Sequence, residues 1–422
     1  MKFTLSWLKE FLDTSASLSE ITAALDGIGL EVAETIDRSV GLEQFEVAHI
    51  AKTISHPVAE KLKICEVETK KGILQIVCGA KNARSGLKVV LAPIGSLIPN
   101  GNFKIKESEI RTVKSYGMLC SGEELNINKD SEGIIELPDD AVIGEQILKY
   151  LSLDDPIICI EITPNRADAL GVYGIARDLA ARGIGNLKEI KVNEIKGTFK
   201  SDFFVDIQEK EYCSIFATRE LKNLTNKQSP IWLKKKLEDI KISSISAIVD
   251  ITNYICYSFG QPMHAYDRSR LGSGMEVKFA GKNSNFKALN NKDYILSTQD
   301  LIITDEKIPQ SIAGIIGSLH SACSEANDET INIILEAACF SPDIIMEAGR
   351  RHNILTDSRY RFERNVDSAS TLKFLDIATN MILSICGGET SELIVKGNGE
   401  RIPKIVELPL DFVSNYTGLE IP

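Results

Sequence analysis

The sequence predicts an α+β protein of several domains, with a small antiparallel β-barrel between a helical start and a larger mixed domain. Three observations point there. At roughly 100 to 200 residues per domain, 422 residues divide into two to four domains, each able to bury its own core. Short strand-like runs separated by Gly, Pro and Asn fill residues 41–150 without a long helical period. From about 200 to 400, strand-like and helical runs mix.

Composition narrows the class. With 43% hydrophobic and 25% charged residues and a net charge of −11, the chain is globular rather than disordered or fibrous. No uncharged apolar run approaches the ~18 residues of a membrane span, and Lys9 and Glu10 interrupt any signal-like start. A soluble, unexported, cytoplasmic protein is expected. Nine cysteines lie singly, without a C-x-x-C pair and mostly in apolar runs, so buried reduced thiols are expected rather than disulfides. Five histidines, none three or four residues from another, predict no metal site.

The elements follow in order. Ser6 is positioned to cap a turn carrying Trp7, Leu8, Phe11 and Leu12. Ser17 and Glu20 form a capping box ahead of Ile21, Ala24, Leu25 and Ile28, with Gly27 and Gly29 as stops. Residues 45–57, 62–69, 73–80, 87–99, 103–113 and 133–138 read as the strands of the barrel. A helix is expected after Asn165, its N-cap, with Asp168 at N3, Val172, Ile175, Ala176, Leu179 and Ala180 on the apolar face, and Gly183 as its end. Residues 187–200 read as a linker. Beyond it, FFVDIQ, CSIFATREL, AIVDITNYI, MEVKFA, DLIITDE and TINIILEAACF read as strands, and SPIWLKKKLEDI and STLKFLDIATNMILSICGG as helices. At 403 a new segment begins that closes no unit, as at the cut end of a longer protein.

The barrel's charge departs from that of the whole chain. Between residues 51 and 115 twelve basic residues face five acidic ones, a local balance of +7. Such a patch is either a polyanion site, where each cation that neutralises a phosphate releases counterions, or a solvated surface. Lys61, Lys63, Lys81, Arg84, Lys104, Lys106 and Arg111 are the candidate phosphate contacts. Phe103 and Tyr116 are the only aromatics between 51 and 120, which favours backbone contact over base stacking.

Eight stretches, in order, resemble the β subunit of bacterial phenylalanyl-tRNA synthetase: KFTLSWLKEFL, HPVAEKLKICEVE, QIVCGAKNARSGLKVVLAPIGSLIP, YGMLCSGEEL, EITPNRADALGVYGIARDLAA, VDITNYICYSFGQPMHAYD, ILEAACFSP and RRHNILTDSRYRFERNVD. The resemblance covers this whole chain and about the first half of that family's. It implies a B1 module at 1–40 and 151–195, split by an inserted OB-fold tRNA-binding domain (B2) at 41–150. A B3/B4 editing domain would follow at 200–400, and the truncated start of B5 at 401–422. It further implies that the α subunit carries the aminoacylation site, with ATP and Mg in the complete α2β2 enzyme, while β binds tRNA(Phe) and hydrolyses tyrosine mistakenly attached to it. The fragment itself would need no cofactor and would not charge tRNA.

An editing site has a physical rationale. A pocket shaped for a phenyl ring rejects an isostere with an added hydroxyl by only about 10². A second site can accept that hydroxyl through a buried acceptor, which phenylalanine would leave unpaired at a cost of ~1–3 kcal/mol. Glu336 in NIILEAACF is a carboxylate among apolar neighbours, either turned outward by strand alternation or buried with a partner; the resemblance implies the acceptor. His264 in QPMHAYD is either a structural histidine or one that positions a water, as the resemblance implies. Asn253, Thr356 and Ser358 either hydrogen-bond the ester, amine or 3′ adenosine or cap local turns. Gly314 and Gly317 either let backbone approach a ligand or serve a tight turn. No Ser or Cys is visibly paired with a His and a carboxylate, so water-mediated or substrate-assisted hydrolysis is expected. Three positions depart from the family pattern: Ser243, where an Arg is usual, Ser318 in IAGIIGS and Leu355 in LTDSR. These changes favour the competing reading, a tRNA-binding scaffold with a weakened pocket.

Overall fold

The computed structural model describes residues 1–127, 131–151, 153–323, 325–400 and 405–420. They form two compact units, one of residues 2–6 and 32–160, the other of Met1, 7–31 and the chain from 161 onward. The 1–40 and 151–195 segments are thereby shared between both units. The whole is mixed α+β.

In the first unit a six-stranded antiparallel sheet runs in the order Met118–Leu119, Lys88–Ala92, Glu46–His56, Ala59–Thr69, Gly72–Cys78, with Glu136–Leu137 also paired to Lys88–Ala92. Alternate side chains of its central strands enter two separate cores. Val47 and Val90 lie in one, Ala48, Val89 and Leu91 in the other. After Lys88, the run Val89–Ala92 is therefore apolar throughout because both faces are covered. The small antiparallel barrel expected for this stretch takes the form of this sheet. Among the described residues no ladder joins the end strands; they meet through the Tyr116 amide, which donates to the Gln75 carbonyl (3.0 Å), and the Val77 amide, which donates to Ser115 Oγ (3.1 Å). A smaller three-stranded sheet of Lys2–Thr4, Ile157–Ile160 and Val32–Ile36 and two two-stranded ribbons, Leu97–Ile98 with Phe103–Lys104 and Ser108–Ile110 with Val113–Ser115, also belong to this unit.

The second unit holds two five-stranded sheets. One is antiparallel, in the order Met263–Asp267, Thr330–Phe340, Cys213–Thr225, Glu389–Thr390, with Ile394–Gly397 also paired to Cys213–Thr225. The other runs Phe204–Ile207, Gly274–Phe279, Leu301–Thr304, Pro309–Ile312, Ile316–Gly317. One apolar core draws on both, joining Phe216, Tyr266, Ile334, Ala338 and Phe340 to Met275, Val277, Ile302 and Ile312. Helices Ala247–Phe259 and Thr371–Cys386 pack on the first sheet. Residues 368–386 are long and apolar enough by composition to cross a membrane. Here Phe374, Leu375, Ala378 and Ile382 are instead buried in the protein.

Several local expectations hold and others change. Ser17 and Glu20 form both halves of the capping box of helix Leu18–Gly27, and all nine cysteines are free. Ser6 lies inside helix Leu5–Phe11 rather than capping it, because Asp155 takes its amide at 2.9 Å as well as its hydroxyl. Asn165 is not an N-cap. The Asp168 carboxylate is held by Arg166 and Arg177 instead of backbone amides, residues 167–169 form a 3₁₀ turn, and the helix starts only at Val172 after Gly171. AIVDITNYI, expected as a strand, is the first part of helix Ala247–Phe259. Asp250 in its first turn accepts from the Ile245 amide and the hydroxyls of Ser229 and Ser244, fixing the entry loop; tertiary packing overrides the β-branched propensity.

Candidate active site

Glu336 sits mid-strand in Thr330–Phe340, the strand flanked on both sides in its sheet. Period-two alternation places it on the same face as Ile334, Ala338 and Phe340, the face that enters the core between the sheets. The carboxylate is therefore buried rather than turned to solvent. His264 lies directly across from it on Met263–Asp267, and Thr218 directly across on Cys213–Thr225.

Glu336 lines a cavity of about 420 Å³ together with His264, Gly314, Gly317, Thr356 and Ser358. Six of the eight expected site residues thus converge from four separate stretches of sequence. Burial pushes the Glu336 carboxyl up to about 7, an effect opposed by the Tyr266 hydroxyl, which donates to Oε2 at 2.6 Å. Burial also pushes His264 down to about 4, so its imidazole is neutral near pH 7. Its Nε2 is buried and accepts or donates no hydrogen bond among the described residues.

The glycines are required by close approach. A Cβ on Gly317 would stand 2.6 Å from His264 Cε1 and 2.7 Å from Nε2, so a bare backbone is what admits the imidazole. Gly314 has φ +66°, and a Cβ there would press on Phe340, Ile345 and Phe362 at 3.0 Å. Thr356 and Ser358 hold this loop. Thr356 Oγ1 donates to the Ile315 carbonyl (2.7 Å) and accepts from the Arg359 amide (3.1 Å) as N-cap of helix Asp357–Phe362, and Ser358 Oγ donates to the Gly314 carbonyl (2.9 Å). Their single hydroxyl protons are directed at backbone, so the pair shapes the cavity wall.

Two expected residues lie elsewhere. Asn253 is on helix Ala247–Phe259 and is not among the residues lining the cavity. Ser243 is exposed in the loop before that helix. Of the other departures, Leu355 is 85% exposed, and Ser318 is buried with its hydroxyl on the Lys287 carbonyl. Sequence reasoning missed Tyr266, Ser311, Asn290 and Phe362. Tyr266 was within reach, since two residues along a strand from His264 it must share that face.

The basic sheet is less open than its charge count suggests. Arg84 makes a two-pronged pair with Glu136 at 2.9 Å, Lys81 pairs with Glu132 at 2.8 Å, and Lys63 donates to the carbonyl of Ala83. Both acids lie outside the 51–115 window. Lys61, Lys104, Lys106 and Arg111 are exposed and have no ion-pair partner among the described residues. Arg111 and Thr112 form the two-residue tip between strands Ser108–Ile110 and Val113–Ser115, both with positive φ.

Comparison with known proteins agrees with this layout. Residues 212–387 match the "B3/4 domain" family and residues 45–146 the "Putative tRNA binding domain" family. The phenylalanine-tRNA ligase beta subunit of Rickettsia bellii is 54% identical over 450 residues, covering 100% of this chain and 51% of that one. That of Paramagnetospirillum magneticum is 44% identical over 425 residues, covering 100% of this chain and 53% of its own. A solved N-terminal fragment of the phenylalanyl-tRNA synthetase beta-subunit from Pyrococcus horikoshii is 16% identical, with a TM-score of 0.31 over 64% of this chain and 74% of that one, too loose a match to place any residue. The chain spans about half the length of the curated relatives it matches. Over its whole length, the chain resembles the phenylalanine-tRNA ligase β subunit, with a tRNA-binding domain and a B3/4 domain in that order.

Proposed function

We propose that this chain is the tRNA-contacting and editing part of a phenylalanine-tRNA ligase β subunit, and that the pocket around Glu336 hydrolyses tyrosine from mischarged tRNA(Phe). The observation that carries this reading is a buried carboxylate opening onto a cavity of about 420 Å³, within the ~300–1,000 Å³ range of small-molecule sites. A tyrosyl ring donates its phenolic proton to Glu336, whereas a phenylalanyl ring leaves that acceptor unpaired.

Hydrolysis then needs a water at the ester carbonyl carbon. The water oxygen bonds to that carbon, the bond to the ribose oxygen breaks, tyrosine leaves as the acid, and the ribose oxygen takes back a proton. The lining hydroxyls of Ser311, Thr356 and Ser358 all donate to backbone carbonyls, so water is the better nucleophile. An imidazole with pKa near 4 is a weak base at neutral pH, so His264 positions the water and ester. Thr356 and Ser358 act through the loop they hold, and Gly314 and Gly317 as its bare backbone.

Contact with tRNA(Phe) is assigned to the basic sheet, read as an OB-fold, in support of which the Tyr116–Gln75 bond brings its end strands together. Lys61, Lys104, Lys106 and Arg111 lead, and Lys63, Lys81 and Arg84 contribute less because their charges are already engaged. The α subunit partner, the α2β2 assembly and cytoplasmic aminoacylation with ATP and Mg belong to the complete enzyme. Among the described residues no group of three or more His, Cys, Asp and Glu is placed to hold a metal ion, and no step above runs through one. The scaffold reading loses one of its grounds, since Ser243 lies outside the pocket.

The test is deacylation of Tyr-tRNA(Phe) against Phe-tRNA(Phe) by the chain and its Glu336→Ala variant. Selective tyrosine release should fall by roughly 5- to 150-fold in the variant, the equivalent of ~1–3 kcal/mol. Equal rates for both esters with the unaltered protein would leave the scaffold reading.

A further inference from the structure

The Glu336 carboxylate is not a bare acceptor. Its Oε2 is engaged by the hydroxyl of Tyr266 at 2.6 Å, while Oε1 accepts no hydrogen bond among the described residues. The residue as a whole is only 6% exposed yet lines the cavity, so Oε1 is the oxygen left for a ligand. Tyr266 itself is fully buried in the core, its ring edge-on to His264 with centroids 4.2 Å apart. Strand periodicity and register put Tyr266, His264 and Glu336 on one face.

We propose that Tyr266 is the positioning residue that sets this pocket's selectivity: its hydroxyl ties down one oxygen of Glu336 and presents the other as a single oriented acceptor for a phenolic donor. The proposal rests on the editing reading and adds to it the residue that controls when the acceptor works. A carboxylate that accepts one buried hydrogen bond holds its charge better than one that accepts none. Removing the Tyr266 hydroxyl removes the one interaction that opposes the effect of burial on Glu336. Once protonated, Glu336 turns a donor toward the cavity, and a phenol loses its advantage over a phenyl ring.

Few other groups titrate nearby. Among the described residues, His264 and Glu336 are the only titratable ones lining the cavity, and His264 stays neutral from pH 6 to 8.5. Across the sheet, Thr218 faces Glu336 without a charge, and burial holds the Tyr266 hydroxyl and the Cys213 thiol well above their usual ranges, so both stay protonated in the same window. From the second sheet Ser311 brings a neutral hydroxyl. Arg359 and Arg361 on the helix beyond are engaged with Glu363 and Asp357. Glu336 is therefore the group whose titration the pocket reads.

The test uses the full chain with Tyr266→Phe and, separately, Glu336→Gln. Tyrosyl and phenylalanyl esters of tRNA(Phe) are followed from pH 6 to 8.5, with spontaneous hydrolysis subtracted, and the Glu336 carboxyl is titrated by ¹³C NMR in the unaltered protein and in Tyr266→Phe. The expected results are a Tyr/Phe ratio that rises with pH through a midpoint near 7, a midpoint and carboxyl titration both displaced upward by roughly one unit in Tyr266→Phe, hence about tenfold lower selectivity below the midpoint, and a flat profile in Glu336→Gln. An unchanged carboxyl titration in Tyr266→Phe overturns the proposal even if editing is intact. A displaced titration with no ester hydrolysis by any form overturns the editing reading and the selectivity role with it, leaving only the Tyr266–Glu336 coupling.

Discussion

At the scale of single residues, the pocket is governed by two side chains whose burial works in opposite directions. His264, with a folded pKa of about 4 against an ordinary 6.5, contributes stability that is present above pH 6.5 and lost as pH falls toward 4. Glu336, at about 7 against 4.5, contributes stability that is present below pH 4.5 and lost as pH rises through 7. Replacing Glu336 by Gln keeps an acceptor for Tyr266 but removes the ionisation. Denaturant titration should therefore show the variant gaining on the unaltered protein by on the order of 2 kcal/mol between pH 5 and 8; parallel pH dependences would show that Glu336 does not titrate as described. Gly317→Ala is the steric counterpart. A Cβ 2.6 Å from the imidazole must displace either the loop or the ring. Editing should fall at least tenfold, with a stability loss of ~1–3 kcal/mol measured in the same titration.

At the scale of elements, the cavity wall is a loop clipped to a helix N-terminus. Thr356→Val removes both the N-cap acceptor and the donor to Ile315, so thermal unfolding should show a loss of about 0.5–2 kcal/mol, and serine at 356 should restore most of it. How much of this was legible follows from which periods are local. Glu336 stood out as a charge in an apolar run and His264 as a lone imidazole, but the residues alone left both open and the family resemblance is what pointed them to a site. The strand Thr330–Phe340 and the helix Leu18–Gly27 were legible too, the one from its apolar run and the other from its capping box. Helix Ala247–Phe259 was not, because its Ile, Val and Thr favour strand until Asp250 gathers the entry loop across 21 residues to Ser229. Whether the sheet of 46–137 closes was equally out of reach, since that depends on where Tyr116 meets Gln75. The engagement of Arg84 and Lys81 by Glu136 and Glu132 was hidden by counting charge in a window that excluded their partners.

At the scale of the whole molecule, an acidic chain carries a locally basic stretch, residues 51–115, within one matched domain and its buried acceptor in another. If the sheet contacts the tRNA backbone, its cations are separable from the pocket's chemistry. Charge removal at Lys104, Lys106 or Arg111 should weaken tRNA(Phe) binding and lower the slope of log affinity against log salt by up to ~1 each, while Lys81→Ala, already paired with Glu132, should change it less. Filter binding from 50 to 200 mM salt reads this directly. Equal effects at paired and unpaired cations would show that the pairs open on binding. The account as a whole turns on discrimination between two esters that differ by one hydroxyl, and the measurement that reaches it most directly is the ratio of enzyme-dependent release rates for Tyr-tRNA(Phe) and Phe-tRNA(Phe) at pH 8 with the unaltered chain. Tyrosine should be released at least about tenfold faster, in line with an acceptor that phenylalanine leaves unpaired; release of both at the same rate, with tRNA bound, would contradict it.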